Sequence, residues 1–327
     1  MRLAITTGLS LLVGCGPSVT AGGGDEGGGE GGGGGGALDA GGARGDARPV
    51  IDGADAGPTE ACDQMDILFV IDNSGSMGQE QANLGANFPQ FISLLESFTN
   101  ASGQLIDYHV GITTTGVSKS YSMQIPGLPP IPDGQDGEDG HLQVGSGCGM
   151  PRRWLERGDP GVSSAFSCAA TVGTGGPSDE MPLEGLRLAL TDRLTDGSNA
   201  GFLREDALLA VVILTDEEDC SRTDDNFTLG FAQDLCDAPS PVASYVAALD
   251  AIKGDRSRWA AAIIAGVGPG ACSSELGDAQ EASRLLNFAA QTGDNAVTAS
   301  ICEGDLATPL AQAMAVFQQA CDEIVVD

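Results

Sequence analysis

The amino-acid sequence predicts an α/β fold, in which helices cover both faces of a mostly parallel β-sheet. The chain has 327 residues, 41% of them hydrophobic, which is enough for one large domain or two small ones. Two continuous apolar runs, residues 67–71 and 208–214, have the character of buried central strands. From Cys62 onward, strand-like runs alternate with segments whose apolar residues recur at helical spacing, which is the pattern of α/β domains.

The other elements follow from periodicity. Residues 105–114 alternate as a second strand, residues 259–267 form another buried strand, and residues 299–302 form a short one. Pro241 at a first helical position, with Ser240 as the N-cap, predicts the start of a helix. Four apolar stripes predict helix faces that pack on the core: Leu84, Phe88, Phe91, Ile92 and Leu95; Leu183, Leu186, Leu190 and Leu194; Leu285, Leu286 and Ala289; and Leu310, Met314, Phe317 and Cys321.

The segment from about residue 116 to about residue 180 interrupts this rhythm. It is rich in Pro and Gly and is longer than an ordinary connection, so we interpret it as an insertion after the second strand. Within it we expect a short strand near residues 142–144 and a helix near residues 162–170. Its acidic run, residues 133–140, lacks the spacing of an EF-hand, and we expect a solvated loop there rather than a calcium site.

Polar side chains follow the two apolar runs directly. Asp72, Ser74 and Ser76 come after the first run at positions i, i+2 and i+4, and Asp216 comes after the second. One carboxylate and two hydroxyls in a single turn suit a hard divalent cation such as Mg²⁺, which takes few protein ligands and keeps several waters. The sequence therefore predicts a cation site where these strands end.

The D-x-S-x-S run from Asp72 to Ser76, placed after a strand, resembles the metal-ion-dependent adhesion site (MIDAS) of von Willebrand factor A (vWA) domains. Together with Leu214-Thr215-Asp216 after the later strand, the resemblance covers residues 62–327. It implies a doubly wound, Rossmann-like sheet in which the two motif strands are neighbours. Asp72 and Asp216 would then face each other across the crevice where the strand order reverses.

The resemblance also implies a ligand set. The hydroxyls of Ser74 and Ser76 would hold the metal directly, and Asp72 and Asp216 would hold it directly or through water. A coordination position would remain for an acidic group of a protein or glycan partner. The expected cofactor is Mg²⁺, with Mn²⁺ or Ca²⁺ as alternatives.

One position departs from the family pattern. The register in which vWA domains place a threonine ligand falls on Glu180 in this chain. A carboxylate there would be a stronger anionic ligand and would block the open position. Thr174 or Ser178 would substitute for it if the loop were shifted.

The first 14 residues predict an export signal. Arg2 precedes an apolar stretch, residues 3–13, that is far too short to span a bilayer. Residues 12–15 resemble a bacterial lipoprotein box, which implies cleavage before Cys15 and lipidation of that cysteine; an ordinary signal would leave Cys15 unmodified. Gly16 is the residue type that, in that family, indicates the outer membrane. Residues 15–58 are Gly-rich and predict a flexible linker to a vWA domain at residues 59–327. A further resemblance, carried by residues 199–204 and 215–221, is to cysteine-rich vWA lipoproteins of soil and predatory bacteria.

Eight cysteines remain beyond Cys15, and behind an export signal they predict four disulfide bonds. Eight cysteines permit on the order of 100 pairings. The predicted topology favours pairs that join the domain ends or staple loops: Cys62–Cys321, Cys148–Cys168, Cys220–Cys236 and Cys272–Cys302. A structural zinc site is not expected, since the chain has no C-x-x-C pair and only two histidines, His109 and His141.

The formal charge of −31 argues against nucleic acid and anionic lipid surfaces as direct partners, because both repel an acidic protein. We find no nucleophile–base pair, and we interpret His109, inside a predicted strand, as a packed residue. The sequence therefore predicts a non-enzymatic binding or adhesion domain, tethered to the bacterial cell envelope by its lipid alone. The alternatives are an envelope protein whose metal only stabilises the fold and, less favoured, a metal-dependent hydrolase.

Overall fold

A six-stranded β-sheet forms the centre of the computed structural model, which describes residues 62–304 and 306–324. The predicted signal, Cys15 and the Gly-rich linker lie outside the described residues. The strands are β1 (Gln64–Ile71), β2 (Asp107–Thr114), β3 (Lys119–Gln124), β4 (Ile131–Gln135), β5 (Trp154–Glu156), β6 (Leu208–Leu214), β7 (Phe227–Gly230), β8 (Trp259–Ala265), β9 (Cys272–Ser274), β10 (Gly277–Ala279) and β11 (Ala296–Ser300). The helices are α1 (Gly78–Ser97), α2 (Val162–Ala169), α3 (Pro182–Leu190), α4 (Asp192–Thr195), α5 (Val242–Lys253), α6 (Ser283–Thr292) and α7 (Ala307–Glu323). None of the described helices is long and apolar enough to cross a membrane.

The strand order of the central sheet is β5-β2-β1-β6-β8-β11, and every pairing is parallel except that of β5 with β2. Counted along the chain within this sheet, the order is 3-2-1-4-5-6, which is the order of doubly wound α/β folds. It reverses between β1 and β6. The predicted fold class, a doubly wound and mostly parallel sheet with helices on both faces, is confirmed.

Two hydrophobic layers cover the sheet, one on each face, and they bury β1, β6 and β8 on both sides. Side chains of α1, α2 and α7 pack on one face, where the Phe69 ring meets the rings of Phe88, Phe91 and Phe166 at centroid distances of 5.0–5.8 Å. Side chains of α3, α5 and α6 pack on the other face with Leu68. Most residues of the predicted apolar stripes therefore pack on the sheet. Leu286 lies outside the core, where Phe288 packs instead, and the leucine stripe divides between α3 and α4 at Thr191, so that Leu194 also lies outside it.

Three local predictions differ from the structure. Residues 142–144 form no strand: the backbone N–H of Gln143 donates to Ile112 O of β2 at 2.7 Å, but that of Leu142 donates to the Asn199 side chain, and β5 pairs with β2 at residues 109–111. The helix α5 begins at Val242, with Pro241 rather than Ser240 at its N-cap. The Ser240 hydroxyl instead accepts a hydrogen bond from the backbone N–H of Thr223. The last strand of the sheet, β11, lies three residues before its predicted start at residue 299.

The predicted insertion, residues 116–180, contains β3, β4, β5 and α2, and the helix expected near residues 162–170 is present. Strands β3 and β4 pair with β7 in a separate three-stranded sheet. The expectation of a solvated acidic loop is wrong for part of residues 133–140. Glu138 is half-buried, because its carboxylate accepts hydrogen bonds from Asn73 Nδ2 at 3.2 Å and from Thr114 Oγ1 at 2.6 Å.

Four disulfide bonds cross-link the described chain, and they are the four pairs that the predicted topology favours. They are Cys62–Cys321, Cys148–Cys168, Cys220–Cys236 and Cys272–Cys302. The first joins the entry to β1 with the end of α7 across a sequence separation of 259, and the others close loops of 16–30 residues. Such a set of bonds is typical of proteins from an oxidising compartment.

The length of the loop that each bond closes gives a first prediction. Replacing both Cys62 and Cys321 by Ala should lower the free energy of unfolding by about 4–5 kcal/mol, against about 3 kcal/mol for the pair Cys148 and Cys168, because the longer loop restricts the unfolded chain more. Urea unfolding of the two double variants measures the difference. An equal loss in both, or a larger loss for the shorter loop, would contradict this interpretation.

Candidate metal centre

The strand order places three polar segments side by side at one edge of the sheet. These segments follow β1, β2 and β6, which are adjacent. The pairing continues past the strand ends, since the backbone N–H of Asp72 donates to Leu214 O at 2.9 Å and that of Thr115 donates to Ile71 O at 3.3 Å. Because β1 and β6 flank the reversal of strand order, this edge carries the crevice in which doubly wound sheets bind ligands.

Asp72 is fully buried and is held on both carboxylate oxygens. The backbone N–H of Ser74 donates to Oδ1 at 2.7 Å, and the hydroxyl of Thr215 donates to Oδ2 at 2.5 Å. The amide of Gln81, on α1, donates to the Asp72 carbonyl at 2.8 Å. The Oγ atoms of Ser74 and Ser76 lie 2.8 Å apart in the same turn. The D-x-S-x-S segment thus presents one oriented carboxylate and two neighbouring hydroxyls.

Glu180 joins this group from the segment before α3. Its side chain is fully buried, the hydroxyl of Thr115 donates to Oε2, and Oε1 has no hydrogen-bond partner. The backbone around it is fixed between two neighbours, since Cys220 N donates to Glu180 O at 2.8 Å and Met181 N donates to Thr115 O at 3.1 Å.

Thr174 and Ser178, the two residues that could replace Glu180 after a loop shift, are both exposed. The buried position in this segment belongs to Glu180. A threonine does reach the site, but it is Thr115 from the end of β2, bonded to the glutamate.

Asp216 completes the group from the end of β6. It is 4% exposed, and its Oδ1 has no hydrogen-bond partner. Its carbonyl accepts from Gln280 N at 2.7 Å, which holds the segment after β10 against the site. All five residues singled out as ligands in the sequence therefore lie in one cluster.

The electrostatics of the cluster are those of crowded, buried acids. Burial, followed by the charge of Asp72, raises the pKa of Glu180 to about 9 and that of Asp216 to about 7. Burial likewise raises the pKa of Asp72, and burial with the charge of Asp72 raises that of Glu217. Within residues 62–304 and 306–324, none of these four carboxylates forms an ion pair with Lys, Arg or His.

The donor set fits a hard divalent cation. Two hydroxyls and three carboxylates offer only oxygen, and the unpartnered Oε1 of Glu180 and Oδ1 of Asp216 are buried acceptors that a cation would satisfy. Buried carboxylates without a counter-charge otherwise have to take up protons. Oxygen ligands of this kind suit Mg²⁺ and Mn²⁺.

The sequence analysis assigns no role at the site to four residues that contribute to it. Thr115 donates to Glu180, and Thr215 donates to Asp72. Both threonines directly follow a strand of the sheet, so the search for polar residues after apolar strands that found Asp72 could also have found them. Glu217 follows Asp216 in a run of acids. Glu80 lies in the first turn of α1, is 3% exposed and leaves Oε2 without a partner; nothing in the sequence marks it as buried.

Another group of potential metal ligands lies nearby but has different chemistry. Asp179, Cys220 and Cys236 bring one ligand atom each within 4.8 Å of the others. Cys220 and Cys236 are joined in a disulfide bond, so they offer no thiolate to a metal. The predicted role of His109 as a packed residue is confirmed: it is buried, and its Nδ1 lies 2.7 Å from Phe202 O.

The solved structures that resemble the chain at low identity include the following three proteins. The chain is 14% identical to proximal thread matrix protein 1 of the mussel byssus, with a TM-score of 0.41 over 79% of this chain and 49% of that one, so it spans about half the length of the mussel protein. It is 13% identical to the manganese-loaded TRAP protein of Plasmodium vivax, with a TM-score of 0.37 over 81% of this chain and 76% of that one. It is 12% identical to the pilus adhesin RrgA of Streptococcus pneumoniae, with a TM-score of 0.26 over 48% and 21% of the two chains. No protein-family model and no curated protein matches the chain. The fold assignment rests on the strand order, and these likenesses carry no argument about function.

The raised pKa of Glu180 gives a pH prediction for the metal-free protein. The folded-state pKa of about 9 lies above the ordinary value of 4.5, so the folded protein holds this proton more tightly than the unfolded chain does. Between about pH 4.5 and about pH 9, the free energy of unfolding should therefore fall as the pH rises, and it should be highest at the acidic end of this range. Glu180→Gln cannot ionise, and at pH 8 in EDTA it should be more stable than the wild type by several kcal/mol, with an upper limit of about 5 kcal/mol.

Urea unfolding from pH 5 to pH 9 in EDTA measures this effect. Glu205→Gln, a change of an exposed glutamate at the amino end of β6, is the matched control and should follow the wild-type profile. Parallel profiles for Glu180→Gln and the wild type would show that the Glu180 carboxyl is not held in a proton-retaining environment.

Proposed function

We propose that this protein is a vWA-type binding domain of the bacterial cell envelope, which engages an acidic group of a protein or glycan partner through a bound divalent cation. The observation that carries the proposal is the cluster of three buried carboxylates and two hydroxyls, in which Glu180 and Asp216 each retain an unpartnered oxygen. In this proposal Ser74 and Ser76 hold Mg²⁺ or Mn²⁺ through their hydroxyls, and Asp72 and Asp216 hold it directly or through water.

Counting charges shows why Glu180 decides what the site can do. Ionised Asp72 and Asp216 balance one divalent cation, and an uncharged Glu180 leaves the metal able to attract an acidic partner. An ionised Glu180 would make the occupied site net negative and would supply the anionic ligand itself. The alternative function, an envelope protein whose metal only stabilises the fold, is therefore favoured by one specific observation, the glutamate at this position.

The location in the cell envelope is part of the proposal. Residues 1–14 would be removed as a signal, Cys15 would carry the lipid, and residues 15–58 would hold the domain away from the outer membrane. Stable anchoring requires more than one acyl chain, which a lipidated N-terminal cysteine provides. The four disulfide bonds support a compartment outside the cytoplasm. The acidic charge supports contact with the membrane through the lipid alone.

The metal itself is tested by thermal unfolding. After EDTA treatment and dialysis, addition of Mg²⁺ or Mn²⁺ should raise the melting temperature of the wild type, because a ligand at about 100 times its Kd stabilises the folded state by about 2.7 kcal/mol. Asp72→Asn should abolish the shift, since it removes the central carboxylate. Asp206→Asn, the same change at an exposed position before β6, should keep it. A wild type that does not respond to either cation would contradict the proposed metal site.

The binding function is tested with defined acidic probes. Two immobilised peptides that differ at one position, Glu in one and Gln in the other, serve as probes. In Mg²⁺ the full-length protein should bind the Glu peptide alone, and EDTA should abolish this binding. Surface plasmon resonance measures both. Metal-dependent stabilisation without any discrimination between the two peptides would contradict the adhesion function and would support the structural alternative.

A further inference from the structure

A groove opens directly beside the candidate metal centre. It encloses about 420 Å³, with Ser76 and Asp216 at one side and the β9–β10 hairpin at the other. This size is within the range of small-ligand sites in proteins. A partner whose acidic group reaches the metal would have its neighbouring atoms in this groove.

The hairpin that forms the far wall is fixed in three ways. The disulfide Cys272–Cys302 ties β9 to the segment after β11. The backbone N–H of Gln280, just after β10, donates to Asp216 O at 2.7 Å. The Glu80 carboxylate packs on Gly277 so closely that a Cβ at that position would overlap it. The wall is therefore a built feature beside the metal ligands.

The chemistry of the groove is acidic and, in part, apolar. Glu217 and Asp278 line it, neither is in an ion pair within the described chain, and no Lys, Arg or His lines it. Asp216, whose unpartnered Oδ1 is available to the proposed cation, borders the groove on the side of the metal centre. Ala271, Ala279 and the Cys272 disulfide add apolar surface between the carboxylates.

We propose that this groove binds the side chain of a Lys or Arg next to the acidic residue that reaches the metal, so that the preferred ligand is a polypeptide with adjacent acidic and basic residues. The proposal rests on the proposed function of the metal site. Glu217 and Asp278 attract the cationic head group of the Lys or Arg side chain. The apolar surface accommodates the methylene stem of that side chain, whereas a free metal ion has no stem to place there. A ligand with an acidic residue in place of the basic one meets two uncompensated carboxylates.

The test compares three fluorescent peptides that share one Asp and differ in the next residue, which is Lys, Ala or Glu. Fluorescence anisotropy with the full-length protein in Mg²⁺ should give a Kd for the Asp-Lys peptide about 5-fold lower than that for Asp-Ala, with Asp-Glu the weakest. Asp278→Asn should reduce the Lys preference to less than about 2-fold, and Asp278→Lys should reverse it in favour of Asp-Glu. Asp206→Asn should retain the wild-type order, because it makes the same change of charge at the opposite edge of the sheet.

Two contrary results are distinguishable. Equal, EDTA-sensitive binding of all three peptides would overturn the groove proposal and leave the metal site intact. If the wild type is stabilised by Mg²⁺ but binds none of the peptides at about 1 mM, the peptide ligand is wrong while metal binding stands. Asp278 is exposed on β10, so the variants should fold, and their melting temperatures in Mg²⁺ verify this.

Discussion

The burial of Asp72, Glu180 and Asp216 in one cluster, where each also repels the others, is the constraint on which the chemistry of this protein depends. Two unit charges about 4 Å apart near a protein surface repel each other by about 4 kcal/mol, and these acids are buried without an ion-pair partner in the described chain. Such a cluster lowers its energy by holding protons or by holding a cation. The pKa values of about 9 for Glu180 and about 7 for Asp216 belong to the metal-free cluster, which holds protons. In the metal-bound cluster the proposed cation would take the place of these protons.

The fold makes this arrangement possible because it brings distant parts of the chain to one edge. Strand β1 lies between β2 and β6, so the polar segments that follow these strands converge although Asp72 and Asp216 are 144 positions apart. The strands themselves are apolar and buried, which gives their polar ends a rigid support. The bond between Cys220 and Cys236 and the bond between Cys272 and Cys302 restrain the segments around the site, so its geometry does not depend on the loops alone.

Much of the fold and of the candidate site could be predicted from the sequence, because the patterns that indicate them involve residues close together in the chain. Continuous apolar runs locate β1 and β6, and polar residues immediately after them locate Asp72, Ser74, Ser76 and Asp216. Of the strand predicted at residues 142–144, the backbone bond from Gln143 N to Ile112 O of β2 is present, but the backbone N–H of Leu142 donates to the Asn199 side chain, which is remote in sequence. Glu80 and Glu138 could not be found, since their burial depends on Gly277 and Asn73, which are remote in sequence. Glu180 was found only by register, and its bond to Thr115 required the structure.

The most direct test of the account is the position of the metal. Crystals soaked in Mn²⁺ and measured near the manganese absorption edge should show an anomalous peak within about 2–2.5 Å of the Ser74 and Ser76 hydroxyl oxygens, adjacent to Asp72 and Asp216. The same map would show whether Glu180 is a ligand or remains bonded to Thr115. A fully occupied peak elsewhere in the molecule, with none at the ends of β1 and β6, would contradict the account.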